Sequence, residues 1–188
     1  RNKLTGEIIH GDAAYISSRV KELAQVESAR KKLIGMRLGV IGAPSDWLIA
    51  SIASPVAVKQ KLGIEIVNIA IDEVVDAYNA IADTPSDCAT LAEKATTKAT
   101  KEAVPGAVKL YYALKEVATR HRLNGFTIRC FDLLGVVRNT SCYALARLNA
   151  EGIVAGCEGD IPTLLTMMIT KAVTGVSGFQ ANTSRIDP

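Results

Sequence analysis

Residues 153–163 read Ile153-Val154-Ala155-Gly156-Cys157-Glu158-Gly159-Asp160-Ile161-Pro162-Thr163, and the apolar-periodic segment 164–173 follows them. The order is that of a buried strand, a carboxylate between glycine-bearing turns, and then a helix whose cap is Asp160 and whose first turn holds a proline. A strand that turns straight into a helix is the unit of an α/β protein. In such a sheet the loops after the strands' C-terminal ends gather on one edge, where ligands bind. Glu is a poor helix cap, so Glu158 at that edge is the first candidate for chemistry. Its oxygens also suit a hard divalent cation.

The same alternation runs outward from this stretch. Asp12 offers a cap for a helix over 12–34, with Ile16, Val20, Leu23, Val26, Ala29 and Leu33 forming one apolar stripe to be buried. Strands are predicted at 36–41, 64–70, 126–130, 153–157 and 176–181. Ser54-Pro55 starts a helix that Gly63 ends. Helices are expected over 72–81, from the turn at 84–87 to about 103, over 107–122 after a break at Pro105-Gly106, over 141–150 and over 161–173. Five strands alternating with helices predict an α/β fold of flavodoxin-like, doubly wound type. Its five-stranded parallel sheet would carry helices on both faces in strand order 2-1-3-4-5. Residues 1–35 then form an N-terminal lead-in and helix, and 36–188 a central α/β domain.

Composition narrows the function. The chain has 188 residues, 48% hydrophobic and 22% charged, with a formal net charge of +3. Its cations are scattered, which argues against nucleic acid as a partner. The mixed-sign run over 93–102 reads as the wet side of a helix. No apolar run is long enough for a membrane span, and no targeting segment opens the chain. Four cysteines (Cys88, Cys130, Cys142, Cys157) without CxxC spacing predict free thiols in a reducing cytoplasm, with Cys157 serving packing. The chain starts at Arg1 and stops at Pro188, so both ends read as cuts in a longer protein.

The predicted strand ends present Ser45, Asp46 and Trp47, then Asp132, Glu158 and Asn182. Asp132 and Glu158, from neighbouring strands, make a pair able to hold a divalent metal while one of them moves a proton. Taken alone, either acid could also be a turn former. Trp47 reads as a packing residue or as a ring stacked on a sugar face. His10 and His121 read as structural or solvent-exposed, and phosphate-cradling glycine motifs are absent. A receiver-like signalling domain would also carry an Asp after strand three, but Asp46 stands alone where a receiver needs an acid cluster.

The run 156–167, with Cys130-Phe131-Asp132-Leu133-Leu134, Cys142-Tyr143-Ala144-Leu145-Ala146-Arg147-Leu148-Asn149, residues 181–187 and the opening strand and turn 39–47, resembles the L-fucose isomerase and L-arabinose isomerase superfamily. Its fucose isomerase-related members are the nearest in pattern. The resemblance implies the central domain of a cytoplasmic, homo-oligomeric aldose–ketose isomerase that uses a divalent cation, usually Mn²⁺. Glu158 and Asp132 would bind the metal and shuttle a proton through an enediol, with Trp47 and Asn182 as substrate contacts. It also implies a further histidine ligand and flanking domains beyond this sequence, so the isolated chain is expected to be inactive. A non-catalytic sugar-binding or regulatory module on the same fold is the alternative.

Overall fold

The computed structural model describes residues 6–83 and 85–186. The first helix, α1 (Ala13–Leu33), starts where Asp12 accepts the Tyr15 N–H at 2.8 Å. It leads into β1 (Arg37–Ile41). Ser54 caps α2 (Pro55–Leu62), and Gly63 ends it in the left-handed region at φ 74°. The chain continues through β2 (Glu65–Ile69), α3 (Ile71–Ala80), α4 (Cys88–Glu93), α5 (Lys98–Arg120) and β3 (Gly125–Ile128). A 3₁₀ turn (Cys130–Leu133), α6 (Leu134–Val137) and α7 (Cys142–Glu151) follow. The last elements are β4 (Val154–Cys157) and α8 (Ile161–Thr174).

The sheet is parallel, with order β2-β1-β3-β4, which agrees with the first four places of the expected order. Alternate strand residues feed two apolar layers. Ile41, Ile69, Phe126, Ile128 and Ala155 pack with α3, α5 and α7. Leu38, Val40 and Val154 pack with α1, α2 and α8. Each layer buries side chains completely, so helices cover both faces.

Three expectations need correction. The fifth strand is not formed: 176–181 is irregular chain among the described residues. The outer edge of β4 is satisfied instead by side-chain carboxamides. Asn149 donates to the Ala155 carbonyl at 2.7 Å and accepts its N–H at 3.1 Å. Gln180 accepts the Cys157 N–H at 2.7 Å and donates to its carbonyl at 3.3 Å. With the edge groups paired in this way, a fifth strand would have to displace both amides.

Pro105-Gly106 does not interrupt the helices, because α5 runs through it. A proline inside a helix costs roughly 3 kcal/mol. The carbonyl that loses its partner lies one turn back on exposed Lys101, within reach of water. Burial of Val104, Val108 and the stripe from Leu110 to Ala118 holds the helix across it. The break falls earlier, between Glu93 and Lys98, where Thr97 accepts the Thr100 N–H and caps α5. The charged run over 93–102 is nevertheless solvated. The expected helix start at 84–87 is described only from Pro85 onward; position 84 lies outside the described residues.

The stripe on α1 is buried only at its last two members, Ala29 and Leu33. Ile16, Val20 and Val26 are exposed, because only the C-terminal turns of α1 reach the layer containing α8. Its first turns are held by polar contacts, Arg19 pairing with Glu7 at 2.7 Å and Glu22 at 2.8 Å.

The Asn149 caps lead to a stability prediction. Asn149→Ala leaves the buried Ala155 N–H and C=O without partners and is expected to cost about 2–4 kcal/mol. Asn149→Asp keeps the acceptor but loses the donor, and falls between. Urea unfolding of the three proteins measures the order.

Candidate functional site

At the C-terminal edge of the sheet the chain turns sharply after β4. The Asp160 N–H bonds the Cys157 carbonyl at 3.3 Å, and the two residues between them, Glu158 and Gly159, have φ of 63° and 64°. Both central residues are therefore left-handed, the pattern of a type I′ turn. Glycine adopts that conformation freely, whereas glutamate does so at a cost of roughly 1–2 kcal/mol. A glutamate held in this way is a pointer to function, since such strain persists where the surroundings enforce it.

The surroundings are backbone. A Cβ on Gly159 would lie 2.5 Å from the Ala43 carbonyl oxygen and 2.9 Å from the Ser45 nitrogen. The turn after β4 therefore lies directly on the loop after β1. It also crosses the end of β3, where the Gly159 N–H bonds the Ile128 carbonyl at 3.2 Å. Buried Ser45 donates its hydroxyl to the Glu158 carbonyl, and buried Ser51 donates to the Ser45 carbonyl. The Ser51 carbonyl in turn accepts the Ile161 N–H at 3.3 Å. Asp160 completes the lock as the cap of α8, bonding Thr163 N at 2.9 Å and Thr163 Oγ1 at 2.6 Å. With its backbone fixed on three sides, Glu158 presents a half-buried side chain at the edge.

Of the residues singled out in the sequence, Asn182 reaches Glu158, donating to Oε1 at 3.2 Å. Asp132 and Trp47 form a separate group around Arg129. Asp132 sits in the 3₁₀ turn and receives the Arg129 Nε–H at 3.2 Å. The same guanidinium lies 4.7 Å from the Trp47 ring centre and 3.6 Å from Asp46. Phe131 tilts against Trp47 at 6.1 Å between centroids. Trp47 is thus a half-exposed ring stacked on a cation, and no hydrogen bond or ion pair joins Asp132 to Glu158 among the described residues.

Sequence reasoning did not single out Arg129, Phe131 or Gln180. Arg129 directly follows β3, and that position at a strand end was the available signal. The pairing of Cys130 with Cys157 was also missed: their sulfurs lie 2.9 Å apart beneath the edge. One thiol donates to the other, which lowers the Cys130 pKa against the opposing effect of burial, while the same contact and burial push Cys157 up. All four cysteines are free thiols, as expected. His121 bonds Glu73 at 2.7 Å and lies at the opposite end of the strands, where its carbonyl accepts from Arg37 at the start of β1.

No group of three or more His, Cys, Asp or Glu side chains among the described residues is arranged to hold a metal ion. Two carboxylates, one of them already paired with Arg129, are fewer donors than Mn²⁺ takes. These residues therefore do not fit the cation by themselves.

Residues 53–176, about two thirds of the chain, match the family model of the L-arabinose isomerase central domain. The chain belongs to that family. The matched span includes the β4 turn with Glu158 and the 3₁₀ turn with Asp132, the two strand-to-helix connections that follow β4 and β3. Trp47 and Asn182 lie outside it. No curated protein is significantly matched by the sequence. No helix among the described residues is long and apolar enough to cross a membrane.

The turn geometry predicts opposite outcomes at adjacent positions. Glu158→Gly relieves the left-handed strain and is expected to stabilise the protein by about 1 kcal/mol. Gly159→Ala drives a methyl into the Ala43–Ser45 backbone and is expected to destabilise it by at least about 2 kcal/mol. Denaturant midpoints at unchanged slope report both.

Proposed function

We propose that this chain supplies one acid–base wall of an aldose–ketose isomerase site, with Glu158 as the group that moves the proton. Interconverting an open-chain aldose and its ketose transfers a proton between C2 and C1 through an enediol, and a carboxylate beside the two carbons takes it from one and returns it to the other. Family membership supports a small-molecule sugar as substrate. The single observation that carries the reading is the strained, backbone-locked Glu158 at the C-terminal edge of the sheet, inside the matched span. An acid that pays conformational energy to stand in one place is suited to a reaction that needs one geometry.

Asp132 enters the proposal as the second carboxylate, held by Arg129 until substrate or cation competes for it. Asn182 orients the Glu158 carboxylate, and Trp47 offers an apolar face to a sugar ring. A divalent cation, expected to be Mn²⁺, would supply polarisation of the sugar oxygens. It would need donors beyond these two acids, such as the histidine that the resemblance implies. Fucose isomerase-related specificity, a homo-oligomer and a cytoplasmic setting belong to the same proposal. The four strands, in the order of the first four of a flavodoxin-like sheet, support reading the fold as an abbreviated, doubly wound member of that class.

The ion pair with Arg129 that occupies Asp132 favours one second reading, a module that binds sugar without turning it over. Assays of the full-length protein with L-arabinose and L-fucose, with Mn²⁺ added, separate the two. Under the isomerase reading Glu158→Gln lowers kcat by roughly 10²–10⁴ with the melting temperature unchanged. Equal turnover in both proteins would remove Glu158 from the chemistry. Calorimetric sugar binding with no turnover in the wild type would favour the binding module.

A further inference from the structure

β3 and β4 are neighbours, with Ile128 opposite Cys157 in register. Two residues beyond Ile128 the 3₁₀ turn folds Cys130 back over the strand ends, and its sulfur comes to 2.9 Å from that of Cys157. A disulfide bond is about 2.05 Å long, so the sulfurs have only about 0.9 Å left to close. Cys130 is buried. Cys157 is half-buried and lines a cavity of about 390 Å³ together with Cys142, Met167, Phe179 and Gln180. A small oxidant therefore has a route to one member of a pair whose other member is already in place behind it.

We infer that Cys130 and Cys157 form an oxidative modification site, which a hydroperoxide converts into a reversible disulfide across the ends of β3 and β4. One sulfur of the pair attacks a peroxide oxygen, the O–O bond breaks, and that sulfur becomes a sulfenic acid as the other oxygen leaves as water. The second sulfur, 2.9 Å away, then displaces the sulfenic oxygen, which leaves as a second water. Two thiols and one hydrogen peroxide give one disulfide and two waters; the sulfurs lose two electrons and the peroxide gains them. A dithiol reductant reverses the bond by exchange.

The placement gives the bond a consequence. Cys157 immediately precedes Glu158, and Cys130 opens the turn that carries Asp132. The crosslink would tie together the two loops that bear the edge carboxylates.

The test is a peptide map of the full-length protein after brief treatment with hydrogen peroxide, alkylated under denaturing conditions. The expected product is a Cys130–Cys157 linked peptide pair, lighter by two hydrogens than its parts, with Cys88 and Cys142 still alkylated and dithiothreitol restoring all four thiols. Cys142→Ser is expected to leave the product unchanged, whereas Cys130→Ser abolishes the linked pair and leaves any oxidised Cys157 as an unlinked sulfenic or sulfinic acid. A Cys142–Cys157 link would overturn the assignment, as would oxidation of Cys142 with Cys130 and Cys157 untouched. The wild-type map decides the matter whether or not the variants fold.

Discussion

The contact on which the C-terminal edge of the sheet depends is backbone against backbone: Gly159 seated on the Ala43–Ser45 segment, with no room for a Cβ between them. It joins loops from β1 and β4, strands that are not neighbours, across the end of β3. Without that seat the turn after β4 would have no reason to hold a glutamate in a left-handed conformation. With it, the Ser45 and Ser51 hydroxyls are drawn into burial, where each finds a carbonyl. These bonds then fix the start of α8. Strain at Glu158 is thus offset by contacts made elsewhere in the same knot.

Beneath this edge the sheet is conventional in its energetics, with apolar side chains alternating into two layers. The open flank is less usual. Asn149 and Gln180 pair the outer groups of β4 with carboxamides, which satisfies buried backbone without adding a strand. On the same flank Arg147, Asp87, Glu151, Lys115 and Tyr111 knit α5 and α7 together and to the start of α4. The edge of the sheet is therefore finished by polar side chains.

Much of this was legible where a single residue type has a single structural meaning. Asp12, Ser54 and Asp160 announce helix starts, Gly63 announces an end, and short β-rich runs mark the first four strands. The failures share a cause: tertiary contacts overrode local signals. Pro105 reads as a breaker until the burial of Val104 and Val108 outweighs it. Residues 176–181 read as a strand because nothing local reveals that Asn149 and Gln180 have taken the edge. The α1 stripe has the right period, but periodicity does not say how far a neighbour extends. Within the site, Glu158 stood out because a glutamate between glycine-bearing turns is unusual. Arg129 had only its position after β3 to mark it, because the partners its guanidinium gathers, Asp46, Trp47 and Asp132, are recognisable only in three dimensions.

The central claim is that a backbone lock aims Glu158 at the reacting carbons of a sugar. A crystal structure of the full-length protein with an open-chain sugar alcohol bound tests it most directly. The account predicts the polyol at the C-terminal edge of the sheet, with its C1 and C2 hydroxyls in hydrogen-bond contact with the Glu158 carboxylate and φ at Glu158 still positive. A polyol bound elsewhere, or at this edge with Glu158 turned away from C1 and C2, would contradict it.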